Sequence, residues 1–292
     1  MLQTPLRPSS TVTPRDIVTS LVTAGERKAQ TPSPTLFVRA LGAGTLLAMA
    51  TTLALEISAQ AGHPFAGACF FPVGFVMLVI LGLELLTGNF LLLPLALLQR
   101  RASVRALLRN WLVVAAGNLC GSLLYAFLYV YMGAGKPHVL ETLKALAEAK
   151  TVSYAASGFT GWLSLMSRAI LCNWLVTMGV VLSFASRATP GKIMAMWLPI
   201  FSFFALGFEH SVVNMFVIPA GIWSGADVSY ADWWLINQIP VTLGNLLGAC
   251  LLTAIPVSMG HLHRPNTVPN ATRHGTRRLE QESHAEAGFA GV

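Results

Sequence analysis

Apolar residues along this chain gather into six long runs, approximately Phe37–Ile57, Phe70–Leu98, Trp111–Tyr131, Arg168–Phe184, Ile193–Ile222 and Leu235–Val257. As helices, runs on the order of 20 residues match the hydrocarbon thickness of a bilayer, so each predicts a transmembrane helix rather than a core strand. Ahead of the first run, Pro14–Ala29 mixes apolar and polar positions in a helical pattern, with Thr13 placed as its cap. It predicts a short amphipathic helix lying on the membrane surface. Past the sixth run the chain turns polar, Pro-containing and aperiodic, the pattern of a disordered tail. The predicted organisation is an N-terminal segment over 1–36, a six-span domain over 37–257 and a tail over 258–292.

Composition agrees with the pattern. Of 292 residues, 54% are apolar and 11% charged, under half of the ~25% charged share of a soluble domain, which excludes a water-soluble globule. A net charge of +7 would suit a nucleic-acid partner, but fifteen of the nineteen Lys and Arg fall in the N-terminal segment, the loops after the second and fourth runs, and the tail. Lys136, Lys144 and Lys150, with Arg168 at the mouth of the fourth run, stand on the other side. The positive-inside rule turns this partition into a topology in a cell membrane with both termini cytoplasmic, and no nucleic-acid partner is expected. Trp223, Trp233 and Trp234 bracket the last external loop as an interfacial aromatic belt would. The cysteines Cys69, Cys120, Cys172 and Cys250 lie far apart inside apolar runs, as small buried hydrophobes. No apolar stretch of signal-peptide type precedes Arg39.

Runs two and five are about 30 residues long, or about 45 Å as unbroken helix against a ~30 Å core. Each has a glutamate near its middle, Glu84 and Glu209, which must face protein or a cavity. Laid side by side, the two runs repeat. Gly82-Leu83-Glu84 matches Gly207-Phe208-Glu209, Asn89 matches Asn214 and Pro94 matches Pro219, all at an offset of 125. Gly117-Asn118 and Gly121 match Gly244-Asn245 and Gly248 at an offset of 127. A repeat of three spans is necessarily inverted, and inverted repeats with interrupted helices point to a translocation site near the midplane. The fold predicted is all-α, with helices two and five interrupted. Glu84, Glu209, Asn89 and Asn214 are expected to be structural, satisfying backbone groups freed at the breaks.

These segments resemble the formate/nitrite transporter family. Glu84-Leu85-Leu86-Thr87-Gly88-Asn89 is similar to its E-L-[FL]-T-[GS]-N signature, and Gly207-Phe208-Glu209-His210 through Asn214-Met215-Phe216 to its G-F-E-H-x-x-x-N-M-[FY]. Ile170–Val176 and Ile239–Asn245 are similar to two further family stretches. The resemblance implies an aquaporin-like six-helix protomer in a homopentamer, passing small monovalent anions such as formate or nitrite, with proton coupling in many members. It implies pore positions for Thr87, His210, Asn173 and Asn245, and hydrophobic constrictions at Phe71, Phe75, Leu85, Val176 and Phe203. The chain departs from the family at one place: Ser157 stands near the position of a vestibule lysine, and the nearest lysine is Lys150.

Of the seven histidines only His210 lies within a predicted span, and an ionisable residue there is functional by default. It is expected to serve as the central hydrogen-bond or proton donor to a weak-acid anion crossing a dry constriction. Glu209-His210 is not HExxH, so neither metal nor other cofactor is expected. No catalytic residue is expected either, because Ser211 beside His210 is adjacent in sequence only. The alternative is an aquaporin-like channel for small neutral solutes, against which stands the absence of a paired Asn-Pro-Ala at the breaks.

Overall fold

The structure, a computed structural model, describes residues 11–261. The tail expected over 258–292 lies outside the described residues from position 262 onward. Among the described residues the elements are helices, with one isolated bridge between Thr11 and Ser186.

Helix α1 (Pro14–Gln30) opens as its sequence directs: Thr13 Oγ1 accepts from Asp16 N at 3.3 Å, Pro14 takes the first position, and Arg27 and Lys28 fill the last turn. Its apolar face (Val18, Leu21, Val22, Ala24) is buried against protein. The physical reason is Gly25, where a Cβ would strike the backbone carbonyl of Leu92, so the helix seats directly on α5 (Leu86–Leu98). Helix α2 (Ser33–Ala61) ends at Gly62, whose left-handed φ of 67° lets Gly62 N and His63 N cap the last turn. Two short helices follow, α3 (Pro64–Phe70) and α4 (Pro72–Ile80), divided because Pro72 lacks the N–H that would continue the ladder. After α5 come α6 (Val104–Val130), capped by Ser103, then α7 (Pro137–Lys150) and α8 (Val152–Ala156). The chain continues through α9 (Gly158–Ser183), α10 (Thr189–Ala205) and α11 (Ser211–Trp223) to α12 (Tyr230–Gly260), whose turns over Trp233–Gln238 and Cys250–Ala254 widen to π geometry.

Four of these helices, α2, α6, α9 and α12, are each long and apolar enough to cross a membrane. Helix α9 begins ten residues before its expected apolar run, and Phe159, Trp162, Leu163, Leu165 and Met166 carry the apolar character back to its start. Helix α7 had no apolar run to announce it. It forms because Val139, Leu143 and Ala147, four apart, make one buried stripe against α11. Close approach elsewhere is set by small residues: a Cβ on Gly117 or Gly121 would enter α2, and one on Gly244 or Gly248 would enter α9.

Candidate functional site at two helix breaks

Helices α4 and α10 end alike. Gly82 and Gly207 take left-handed φ values of 66° and 64°, a conformation that costs glycine least. The amide of the following residue then turns back into the helix, Leu83 N to Leu78 O at 2.9 Å and Phe208 N to Phe203 O at 3.0 Å. After a short extended stretch, α5 and α11 begin at Leu85 and His210 as N-caps.

Each break is braced by one asparagine. Asn118 Oδ1 accepts from Leu86 N at 3.0 Å, while its Nδ2 donates to Ala40 O at 2.8 Å and Glu84 O at 2.9 Å. Asn245 repeats this with Ser211 N at 2.9 Å, Ala169 O at 2.7 Å and Glu209 O at 2.9 Å. Both amides therefore spend every donor on backbone, which is how non-helical chain is kept satisfied away from water. Asn245, expected to line the pore, has its side chain in this network.

The two glutamates form a second matched set. Glu84 receives Lys28 Nζ at 2.6 Å and Asn89 Nδ2 at 2.8 Å; Asn89 also donates to Asn110 Oδ1, and Asn110 donates to Lys28 O. Glu209 receives Lys150 Nζ at 2.9 Å and Asn214 Nδ2 at 2.8 Å; Asn214 donates to Asn237 Oδ1, and Asn237 to Lys150 O. Both carboxylates are 2% exposed, so a cation and an amide on each offset the cost of burying the charge. Tyr154 adds a donor to Glu209 at 3.3 Å, and burial first, then the Glu209 charge, pushes its phenol up to about 12, so it keeps its proton. Ser157 Oγ bonds back to Ser153 O, and the cation that reaches Glu209 is Lys150. Sequence reasoning named Lys150 only as the lysine nearest the vestibule position, paired neither Lys28 nor Lys150 with its glutamate, and missed Asn110 and Asn237. Asn110 and Asn237 share the 127 offset of the bracing asparagines, which was the available signal.

Between the breaks sit His210, Thr87 and Asn173, at 2%, 0% and 0% exposure. His210 Nδ1 accepts from Val213 N at 3.2 Å, capping α11, so in the neutral ring the proton resides on Nε2 and is donated to Thr87 Oγ1 at 3.0 Å. Asn173 Nδ2 donates to Thr87 O and Asn245 O, and its Oδ1 has no partner. The expected constriction residues are all buried and fall into groups. Phe203 stacks on the His210 ring at 5.6 Å and meets Phe71 edge-on at 5.5 Å, while Phe204 stacks on Phe71 at 4.0 Å. Phe75 and Leu85 instead line a cavity of about 400 Å³ with Gly88 and Asn89, into which Arg27, Lys28 and Lys192 also open. Val176 lies one turn along α9 from Asn173. Among the described residues no group of three or more His, Cys, Asp or Glu is placed to hold a metal ion.

A family model described as formate/nitrite transporter matches residues 15–259. The chain is 40% identical over 268 residues to a probable formate transporter of Methanothermobacter thermautotrophicus, covering 84% of this chain and 96% of that one. It is 33% identical over 246 residues to the formate channel FocA of Haemophilus influenzae, covering 75% and 84%. Among solved structures it is similar to a pentameric formate channel with formate bound, with a TM-score of 0.67 and 25% identity over 79% of this chain and 98% of that one. A channel described as an FNT family ion channel matches with a TM-score of 0.71 at 23% identity, over 84% and 98%, a likeness of fold.

Proposed function

Since the chain belongs to the formate/nitrite transporter family, we propose that it passes small monovalent weak-acid anions, of the formate or nitrite type, across a cell membrane together with protons. In this reading the protomer crosses the bilayer six times, by α2, the α3–α5 run, α6, α9, the α10–α11 run and α12. These make two inverted three-helix copies, aquaporin-like in having their second and fifth crossings broken. Five protomers, each with its own pore, form the assembly, and both termini are cytoplasmic; a neighbour described as pentameric and formate-bound supports the first point.

The observation that carries the reading is the buried His210–Thr87 pair between the start of α5 and the start of α11. Bare anions are rejected from a dry passage because desolvating a charge is costly. A fixed donor chain offsets that cost where water is scarcest and the dielectric lowest. His210 Nε2–H holds Thr87 Oγ1 as acceptor and so turns the Thr87 hydroxyl hydrogen toward the substrate. Proton coupling runs through this histidine, with Phe71, Phe203 and Val176 closing one side and Phe75 and Leu85 the other. Glu84, Glu209, Asn89, Asn214 and Asn245 hold the breaks, and Lys150 supplies the vestibule cation.

The test is uptake into proteoliposomes of labelled formate, nitrite, bicarbonate, hydrosulfide and lactate, with and without an inward proton gradient. Formate or nitrite uptake accelerated by the gradient is expected. A folded protein that carries none of the panel overturns the proposal.

A further inference from the structure

We infer that the protein seats an acidic phospholipid of the cytoplasmic leaflet, with its phosphate between Arg100 and Arg105 and one acyl chain in the groove between α6 and α12. The inference rests on the membrane crossing and orientation of the reading above, and not on the solute carried.

The first observation is a backbone conformation. At the close of α5, Arg100 N donates to Leu97 O at 2.9 Å and Arg101 N to Ala96 O at 2.8 Å. At the close of α11, Gly225 N and Ala226 N donate to Ile222 O and Gly221 O, both at 3.0 Å, at the repeat offset of 125. The residue that closes such a cap is left-handed, a conformation that suits glycine and strains other residues. Gly225 has a φ of 97°; Arg100 has one of 56°, and no other non-glycine residue among those described has a positive φ. The positive-inside rule asks for cations on this loop but for none at a strained position. A side chain kept there at a cost to the backbone has a use beyond topology.

The second observation is an unanswered charge. Arg100 and Arg105 are exposed, and neither side chain has a hydrogen-bond or ion-pair partner among the described residues. Arg101, between them in sequence, is held by Glu26 at 3.3 Å. A second copy of the chain offers no free carboxylate on this side: Glu26 serves Arg101, Asp16 accepts from Thr13, and Glu84 is buried on Lys28. The anion at a membrane surface is a phospholipid headgroup, and a guanidinium takes phosphate through two parallel bonds. By the offsets of 125 and 127 the second copy has Gly225 and Asp232 at these positions, so the seat serves one leaflet.

The third observation is where the row below the arginines leads. Arg105, Leu108, Leu112, Ala116 and Leu119 stand three or four residues apart on one face of α6. Leu108 and Leu112 are exposed, and the row enters a cavity of about 320 Å³ between α6 and α12, walled by Leu119 and Leu243. Its polar members are both engaged inside the protein: Gln238 Nε2 donates to Ser211 O at 3.2 Å, and Thr242 Oγ1 to Gln238 O at 2.7 Å. Such a cavity fits hydrocarbon. The rise from Arg105 to Ala116 is about 16 Å, and one leaflet of a ~30 Å hydrocarbon core is about 15 Å deep. A headgroup at Arg105 thus places the end of its chain in the cavity. Leu86 and Met215 form the floor, near the starts of α5 and α11, so the chain packs behind both helix breaks.

The experiment uses the full-length protein, stripped of lipid in neutral detergent, and reads melting temperature and oligomeric state as lipid is added. Phosphatidylglycerol is expected to raise the Tm by about 5 °C, and phosphatidylcholine of the same chains by about half as much or less. Inorganic phosphate and dihexanoyl phosphatidylglycerol, which lack a long chain, are expected to leave it unchanged. Arg105→Gln should weaken phosphatidylglycerol about fivefold, the effect of one cation at a lipid surface, with the lipid-free Tm unmoved. Arg100→Gly should weaken it alike and yet raise the lipid-free Tm, because the left-handed turn is relieved. A purely structural arginine would not move the two readouts in opposite directions. Ala116→Phe fills the cavity and should remove the preference for long chains. Equal stabilisation by both long-chain lipids, stabilisation by phosphate alone, or a wild-type response in the Arg100→Gly and Arg105→Gln proteins overturns the inference. So does an Ala116→Phe protein that falls apart into protomers, which would make the groove a subunit interface. Formate flux enters none of these readouts, so a protein that binds the acidic lipid and carries no anion refutes the transport reading alone.

Discussion

Both nitrogens of the His210 ring are committed, Nδ1 to the first turn of α11 and Nε2 to Thr87. A second proton on the ring would have to displace Val213 N–H, so adding it costs a helix cap as well as a buried charge. The histidine is thereby fixed as a donor of known direction, and the residue it directs is Thr87. Thr87→Val keeps the shape of the side chain and removes the hydroxyl. Formate uptake is expected to drop about tenfold or more, the effect of one lost hydrogen bond in a dry site, with pentamer yield unchanged. His210→Phe is expected to abolish uptake, because it removes the donor and puts an apolar ring where the imidazole stacks on Phe203. Uptake by a well-folded Thr87→Val protein at the wild-type rate would remove Thr87 from the path.

At the scale of elements, the breaks were legible and their supports were only partly so. Gly82 and Gly207, with a glutamate two residues on and an asparagine five further, announced themselves through one shared offset within two overlong runs. The lysines that neutralise those glutamates did not, because Lys28 and Lys150 sit on helices outside the runs and reach the breaks only through packing. Helix α7 escaped notice for the same reason: its three buried apolar positions are too few to stand out beside transmembrane runs. Asn245 shows the reverse limit. Family resemblance set it in the pore, and spacing paired it with Asn118, but only the three bonds of each side chain reveal that the two do one job. Asn118→Leu and Asn245→Leu are accordingly expected to destabilise the pentamer alike, each stranding an amide and two carbonyls at about 1–3 kcal/mol per group before relaxation. Thermal stability in detergent checks this. A normal Tm for Asn245→Leu with transport lost would return Asn245 to the pore.

For the whole molecule, the fifteen-to-four partition of cations implies that the α5–α6 connection faces the cytoplasm and α7 the outside. In a cysteine-free background an impermeant thiol reagent applied to intact cells is expected to label Glu141→Cys and to spare Arg105→Cys, both positions being exposed. Labelling of Arg105→Cys from outside would invert the topology. The bracing bonds also divide the chain. Asn118 closes on Ala40, Glu84 and Leu86, Asn245 on Ala169, Glu209 and Ser211, and neither fastener reaches into the other half of the sequence. Local unfolding can thus release one break while the amide of its twin stays protected from exchange. Thr87, tied at once to His210 and Asn173 from the opposite half, is where such an opening is felt across the midline.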